Sequence, residues 1–132
     1  MLKYQLKSGS TVEFNLAPIE TGLALYRAIV SECRAYNLDL SIKDDVTVLE
    51  LIGKNSKPLL SVMGSEFVMD AIKACCDKVL YNKQRFSMEL FEDEKARGDF
   101  FGVMLLVALE NLVPFFPHLR TYSETLLSQI LR

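Results

Sequence analysis

The stretch that most constrains the fold is residues 100–113, where only Gly102, Glu110 and Asn111 interrupt a run of apolar side chains. An ordinary surface helix carries one apolar stripe. A segment apolar on nearly every face must be covered, by its own domain or by other chains. Directly upstream, residues 90–99 read Leu-Phe-Glu-Asp-Glu-Lys-Ala-Arg-Gly-Asp, an acidic and helix-forming passage. Directly downstream, Pro114-Phe115-Phe116-Pro117 stops the helix. An acidic segment feeding such a helix points to a protein whose business is contact with other proteins.

The rest of the chain must supply whatever intramolecular cover there is. Half of its 132 residues are hydrophobic, which argues against disorder. The length suits one domain over residues 1–132 that closes a core without disulfides or metals. The formal net charge is −2, and lysines and arginines are scattered with no basic stripe, so nucleic acid is not an expected partner. The apolar run falls short of the roughly 20 residues that cross a bilayer. The N-terminus alternates and has no apolar leader segment, so the expected location is cytoplasmic.

Leu2, Tyr4 and Leu6 alternate with polar residues, as do Val12, Phe14 and Leu16. With Ser8-Gly9-Ser10 as a three-residue loop, Leu6 faces Val12, Tyr4 faces Phe14 and Leu2 faces Leu16, all on one side of a hairpin over about residues 2–16. A lone hairpin is marginal, so its apolar face must pack on helices. Those helices are expected over about residues 18–131. The fold class is α+β, predominantly α-helical, with an N-terminal hairpin on about five helices.

Pro18 suits a first helical turn, and Ile19, Leu23, Tyr26, Val30 and Cys33 follow at helical spacing towards Asn37, with Ala28 and Ile29 widening the stripe. Residues 38–43 read as a loop. Residues 46–52 are ambiguous: Val-Thr-Val favours strand, while Thr47 with Glu50 fits a capping box and Gly53 a helix end, and the balance favours a short helix. Residues 54–57 read as an exposed connection. Ser65 is a good N-cap for a helix through about Leu80, followed by a polar turn over residues 81–87. Helix resumes near Glu89 or Phe91, Gly98-Asp99 marks a break, and Asp99 caps the apolar helix. A short final helix spans about residues 122–131.

Little here bears chemistry. His118, the single histidine, has no nucleophile motif beside it and reads as a loop residue. Cys33, Cys75 and Cys76 form no metal-ligand spacing and read as small buried hydrophobes. Glu89, Glu92, Asp93, Glu94 and Asp99 are interleaved with Lys95 and Arg97, so a solvated helix face is the plainer reading, with Asp93 and Arg97 paired four residues apart. No phosphate-binding glycine loop exists, and no catalytic residue, metal site or cofactor is expected. Phe100, Phe101, Phe115 and Phe116 are the candidate partner-binding residues. Aromatics in water-free pockets dominate interface energies. Core anchoring is the plainer reading for Phe100 and Phe101. The prolines around Phe115 and Phe116 make burial harder to assume there.

Leu80-Tyr81-Asn82, the passage Glu-Leu-Phe-Glu-Asp-Glu-Lys-Ala-Arg-Gly-Asp-Phe-Phe at residues 89–101, and Asn-Leu-Val-Pro-Phe-Phe at residues 111–116 resemble the tail assembly chaperones of long-tailed, siphovirus-type bacteriophages. The likeness covers the C-terminal third. It implies a chaperone that coats the long helical tape measure protein, keeps it soluble while the tail tube assembles, and is absent from the mature virion. It also implies self-association, the tail tube protein as a further partner, the infected host's cytoplasm as location, and a longer form made by translational frameshift. Two other classes fit the composition: a structural tail or connector subunit, and a small acidic secretion chaperone, though the latter typically rests on a longer strand-rich sheet.

Overall fold

In the computed structural model, residues 1–35, 64–116 and 119–132 are described. The expected loop over 38–43, the ambiguous segment 46–52, the connection 54–57 and His118 lie outside them, as does the end of the first helix near Asn37.

A glycine sets the first hairpin. Strand β1 (Leu2–Gln5) pairs antiparallel with β2 (Thr11–Phe14), placing Leu2 opposite Phe14 and Tyr4 opposite Val12. Leu6 N–H donates to the Ser10 carbonyl at 2.8 Å, and Gly9 N–H to the Leu6 carbonyl at 2.9 Å. The loop is therefore Lys7-Ser8-Gly9, and the register expected from Ser8-Gly9-Ser10 is corrected by a slip of two residues. Gly9 has φ +95, and a three-residue hairpin wants such a residue last in its loop. The expected loop would have put Ser10 there. Because the slip is even, the apolar face still points inward. Leu16 loses its partner and is 48% exposed.

The sheet has four strands, in the order β1-β2-β3-β4. A second hairpin joins β3 (Leu80–Tyr81) to β4 (Gln84–Arg85) through Asn82 and Lys83, at φ 49 and 68. Positive φ at both central residues belongs to a type I′ turn, whose twist matches the flanking strands. This corrects the expected helix to Leu80 and the polar turn after it. Helix α2 (Glu66–Cys75), capped by Ser65 as expected, stops five residues sooner. Val79 and Tyr81 then turn inward with strand spacing.

Helix α1 (Ile19–Ala35) packs on α2. Its buried line is Gly22, Leu25 and Ala28. Of the expected stripe, Ala28 is fully buried and Tyr26 and Ile29 pack half-buried on the core, while Ile19 is 64% exposed, so the face is turned away from Ile19. The small residues Gly22 and Ala28 let neighbours approach: a Cβ on Gly22 would already lie 3.6 Å from the Phe115 ring.

Helix α3 (Glu94–Leu112) is the central element, with α1, α2 and the final helix α4 (Leu119–Ile130) against it. It does not break at Gly98-Asp99. Asp93 is its cap, accepting from Ala96 N–H at 3.2 Å, and Asp99 lies within the helix. One interior glycine costs only about 1 kcal/mol, too little to end a helix held by burial. With Asp93 used as the cap, Arg97 pairs with Glu92 at 3.1 Å in place of Asp93. Both partners are well exposed, so the pair adds little. A 3-10 turn (Val113–Phe115) holding Pro114 closes the helix. Helix α4 begins three residues before the expected 122. Beyond it, Leu131 bridges Leu6, and Arg132 N–H donates to the Gln5 carbonyl at 2.9 Å.

Four helices and one antiparallel sheet lie among the described residues, an α+β arrangement. The domain itself covers most of α3: Val103, Met104, Leu106 and Val107 are each at most 1% exposed. The helical stretch Glu94–Phe115, 22 residues, is long and apolar enough to cross a membrane by length and composition, which the apolar run alone is not. Half of that apolar window is buried inside the domain, as in the core helix of a globular protein.

Candidate partner-binding face

The four phenylalanines do not gather in one place. Phe100 and Phe115 are separated by fifteen residues, roughly 22 Å of helix rise. Phe100 is half-buried against the core, its ring edge-on to Phe91 at 5.2 Å. Phe91 is buried and also meets Tyr81 at 5.0 Å and Phe86 at 5.4 Å, so Phe100 extends an aromatic cluster beneath the second hairpin. Its neighbour Phe101 is 70% exposed and touches Phe100 edge-on. At the other end, Phe115 and Phe116 are half-buried on Tyr26 of α1, with ring centroids 5.5 and 5.2 Å away. Only Phe101 offers most of its ring to solvent.

Sequence reasoning missed the residues that place this face. Asp99, one position before the pair, is 9% exposed. Its Oδ2 accepts from Tyr81 Oη at 2.6 Å and Ser8 Oγ at 2.8 Å. Tyr81 Oη also lies 3.2 Å from Ser10 Oγ, which accepts from Asn82 Nδ2, while Asn82 Oδ1 accepts from Thr11 N–H at 2.9 Å. One carboxylate thus clamps both hairpin turns to the central helix. Burial, reinforced by donation to Asp99, holds the Tyr81 phenol above its ordinary pKa. The i, i+1 placement of Asp99 and Phe100 inside a helical run was the available signal, but a carboxylate beside glycine reads first as a cap.

Asn111 plays the matching part lower on α3. It is buried, accepts from Ala17 N–H at 2.9 Å, and donates to the Val107 carbonyl at 2.8 Å. Tyr4 donates to Glu110 at 3.0 Å, and burial with that bond pushes its pKa up to about 12. On the sheet face opposite Val12 and Phe14, exposed Lys83 reaches the largely buried Glu13 at 2.7 Å and holds its carboxyl below the usual range.

A cleft of about 210 Å³ lies between the first hairpin turn (Lys7, Ser8), α3 (Gly98, Asp99, Gly102) and the end of α4 (Gln129, Ile130). A Cβ added at Gly98 or Gly102 would meet no atom within 4 Å. A second, more polar cleft of about 230 Å³ lies under the second hairpin, lined in part by Tyr81, Asn82, Asp93 and Lys95. Burial pushes the Cys75 and Cys76 thiols up to about 11 and 12, which keeps them protonated near neutral pH. Among the described residues, no three histidine, cysteine or acidic side chains converge as a metal-ligand set.

The fold and this face define an α+β domain built round one central helix whose first half keeps an open side. Compared with known protein families, characterised proteins and solved structures, the chain matches none.

Proposed function

We propose that this protein is a tail assembly chaperone of a siphovirus-type bacteriophage. It binds the tape measure protein, keeps it soluble and promotes assembly of the tail tube, acting in the host cytoplasm and leaving before the virion matures. The tail tube protein and further copies of the chain are its other partners, its helical body comprises about five helices, and it carries out no catalysis.

The sequence likeness over residues 89–101 and 111–116 motivates this reading. The structural observation that carries it is Phe101, a large aromatic left 70% exposed on the open first half of the central helix. A holder for amphipathic helices needs an apolar foothold on an acidic body, and many weak footholds along one client give avidity. Phe115 and Phe116, packed on Tyr26, are less suited to first contact with a client.

One observation favours a second reading. The sheet has four strands where the sequence offered one hairpin, which brings the domain nearer to small acidic secretion chaperones. A tagged pull-down from phage-producing cells, with mass spectrometry, separates the classes. The expected result is a very long, helix-rich phage protein, with the tagged chain missing from mature virions. Recovery of tube or connector subunits, with the chain present in virions, replaces the reading with a structural role. Recovery of a secreted effector replaces it with secretion chaperoning.

A further inference from the structure

The outer edge of β1 is only partly occupied. Leu6 N–H donates to the Ser10 carbonyl, so even-numbered residues of this strand bond to β2 and odd-numbered ones turn their N–H and C=O outward. At one end the chain fills that edge itself. Leu131 bridges Leu6 antiparallel, Lys7 N–H donates to the Ile130 carbonyl at 3.1 Å, and Arg132 N–H donates to the Gln5 carbonyl at 2.9 Å. Further along, the Lys3 N–H and C=O have no hydrogen-bond partner among the described residues. An open strand edge is a template for another strand.

Burial follows the same line. Leu2, Tyr4 and Leu6 share the inward face of β1. Leu6, with Leu131 across from it, is 2% exposed, while Tyr4 and Leu2, beyond the bridge, are only half-buried. Charge marks the other face. Lys3 is exposed and stands opposite Glu13 in the ladder, but Glu13 is paired with Lys83 at 2.7 Å. Lys3 has no ion pair among the described residues. One carboxylate therefore serves two lysines, and a cation is left over at the open edge.

We propose that the edge of β1 binds an extended segment of a partner protein, added antiparallel as an outer strand, with an acidic residue opposite Lys3 and apolar residues opposite Tyr4 and Leu2. The occupant follows the line and the direction that Leu131 and Arg132 already take on this edge. Its charge is set by Lys3, because opposite charges directly across two strands attract and like charges repel. A second copy of β1 is a poor fit, since residues 1–7 carry Lys3 and Lys7 and no acidic residue. Main-chain bonds hold such a strand, and its alternate side chains select it. Lys3 alone offers few ladder bonds, so the incoming strand also takes the positions beside Gln5 and Lys7. Leu131 and Arg132 are the built-in competitor that it displaces.

Strand addition here does not rest on the tape measure reading, and its test uses synthetic peptides, so the two fail separately. The probe is a blocked seven-residue peptide alternating threonine and valine, with glutamate in place of the third threonine. Titrated into the isotope-labelled full chain, it should bind saturably and slow hydrogen exchange at the Lys3 amide about tenfold. Methylating the glutamate amide, which donates to the Lys3 carbonyl in this register, should weaken binding about tenfold. Methylating the preceding valine amide, which points away from β1, should leave binding unchanged. Lys3→Glu alters only an exposed side chain and should melt like the parent chain. It should weaken the glutamate peptide about fivefold and favour a lysine-substituted peptide by a similar factor. Removing Leu131 and Arg132 should tighten binding several-fold. No saturable binding, no slowing at Lys3, equal losses from the two methylations, or an unchanged peptide preference in Lys3→Glu overturns the proposal. Unchanged affinity after removal of Leu131 and Arg132 overturns the displacement.

Discussion

Over residues 103–112 the central helix gives solvent only the half-exposed flanks of Leu105 and Glu110. Over residues 94–102 the same helix buries Ala96 and Asp99 on one side and exposes Gly98 and Phe101 on the other. The lower half is apolar but for Glu110 and Asn111, whereas the upper half sets Phe100 and Phe101 among Glu94, Lys95, Arg97 and Asp99. The surroundings differ as well. The lower half is almost wholly buried and is pinned to the chain before α1 by Asn111, so its side chains act on folding. The upper half is clamped on one side by the hairpin turns through Asp99, which leaves its far side open. An apolar residue there adds little to stability and is available for binding.

Substitutions can break or sharpen this contrast. The largest effect is expected in the enclosed half: Leu106→Ala, at a fully buried site, should cost about 2–5 kcal/mol in urea unfolding. Asn111→Ala leaves the Ala17 N–H without its acceptor and should cost about 1–3 kcal/mol by the same measurement. In the open half the sign reverses: Gly98→Ala meets no neighbour and should stabilise by about 0.5–1 kcal/mol. Smallest of all, Phe101→Ser should shift stability by no more than about 0.5 kcal/mol. If Phe101→Ser destabilised as much as Leu106→Ala, Phe101 would belong to the core and the contrast between the halves would disappear.

The strongest periodic signals were legible. The N-cap at Ser65, the inward face of the first hairpin and the need to cover residues 100–113 all follow from side-chain spacing, which is a local property. The errors arose where two local rules compete. A three-residue loop can be drawn on either of two registers, and the choice turned on which residue can hold φ near +95. At residues 79–81 helix and strand periods cannot be told apart over so short a run, and Lys83 hid a turn that glycine would have announced. Phe100 and Phe101 are neighbours in sequence with opposite exposures, and which one faces in depends on the clamp at Asp99. That clamp joins residues 18 and 91 positions away, beyond the reach of any spacing rule.

The contacts between the first strands and the last third also have a consequence in time. Ser8 waits for Asp99, Tyr4 for Glu110, Ala17 for Asn111 and Gln5 for Arg132, separations that run from 91 residues upward. At roughly 5–20 residues per second of synthesis, the first hairpin spends on the order of 5–25 s outside the ribosome before its partners exist. For that interval Leu2, Tyr4, Val12 and Phe14 form an uncovered apolar face on a marginal two-stranded ribbon. The nascent chain therefore passes through a stage in which it needs shielding of its own, and its yield should depend on how quickly the last third is translated.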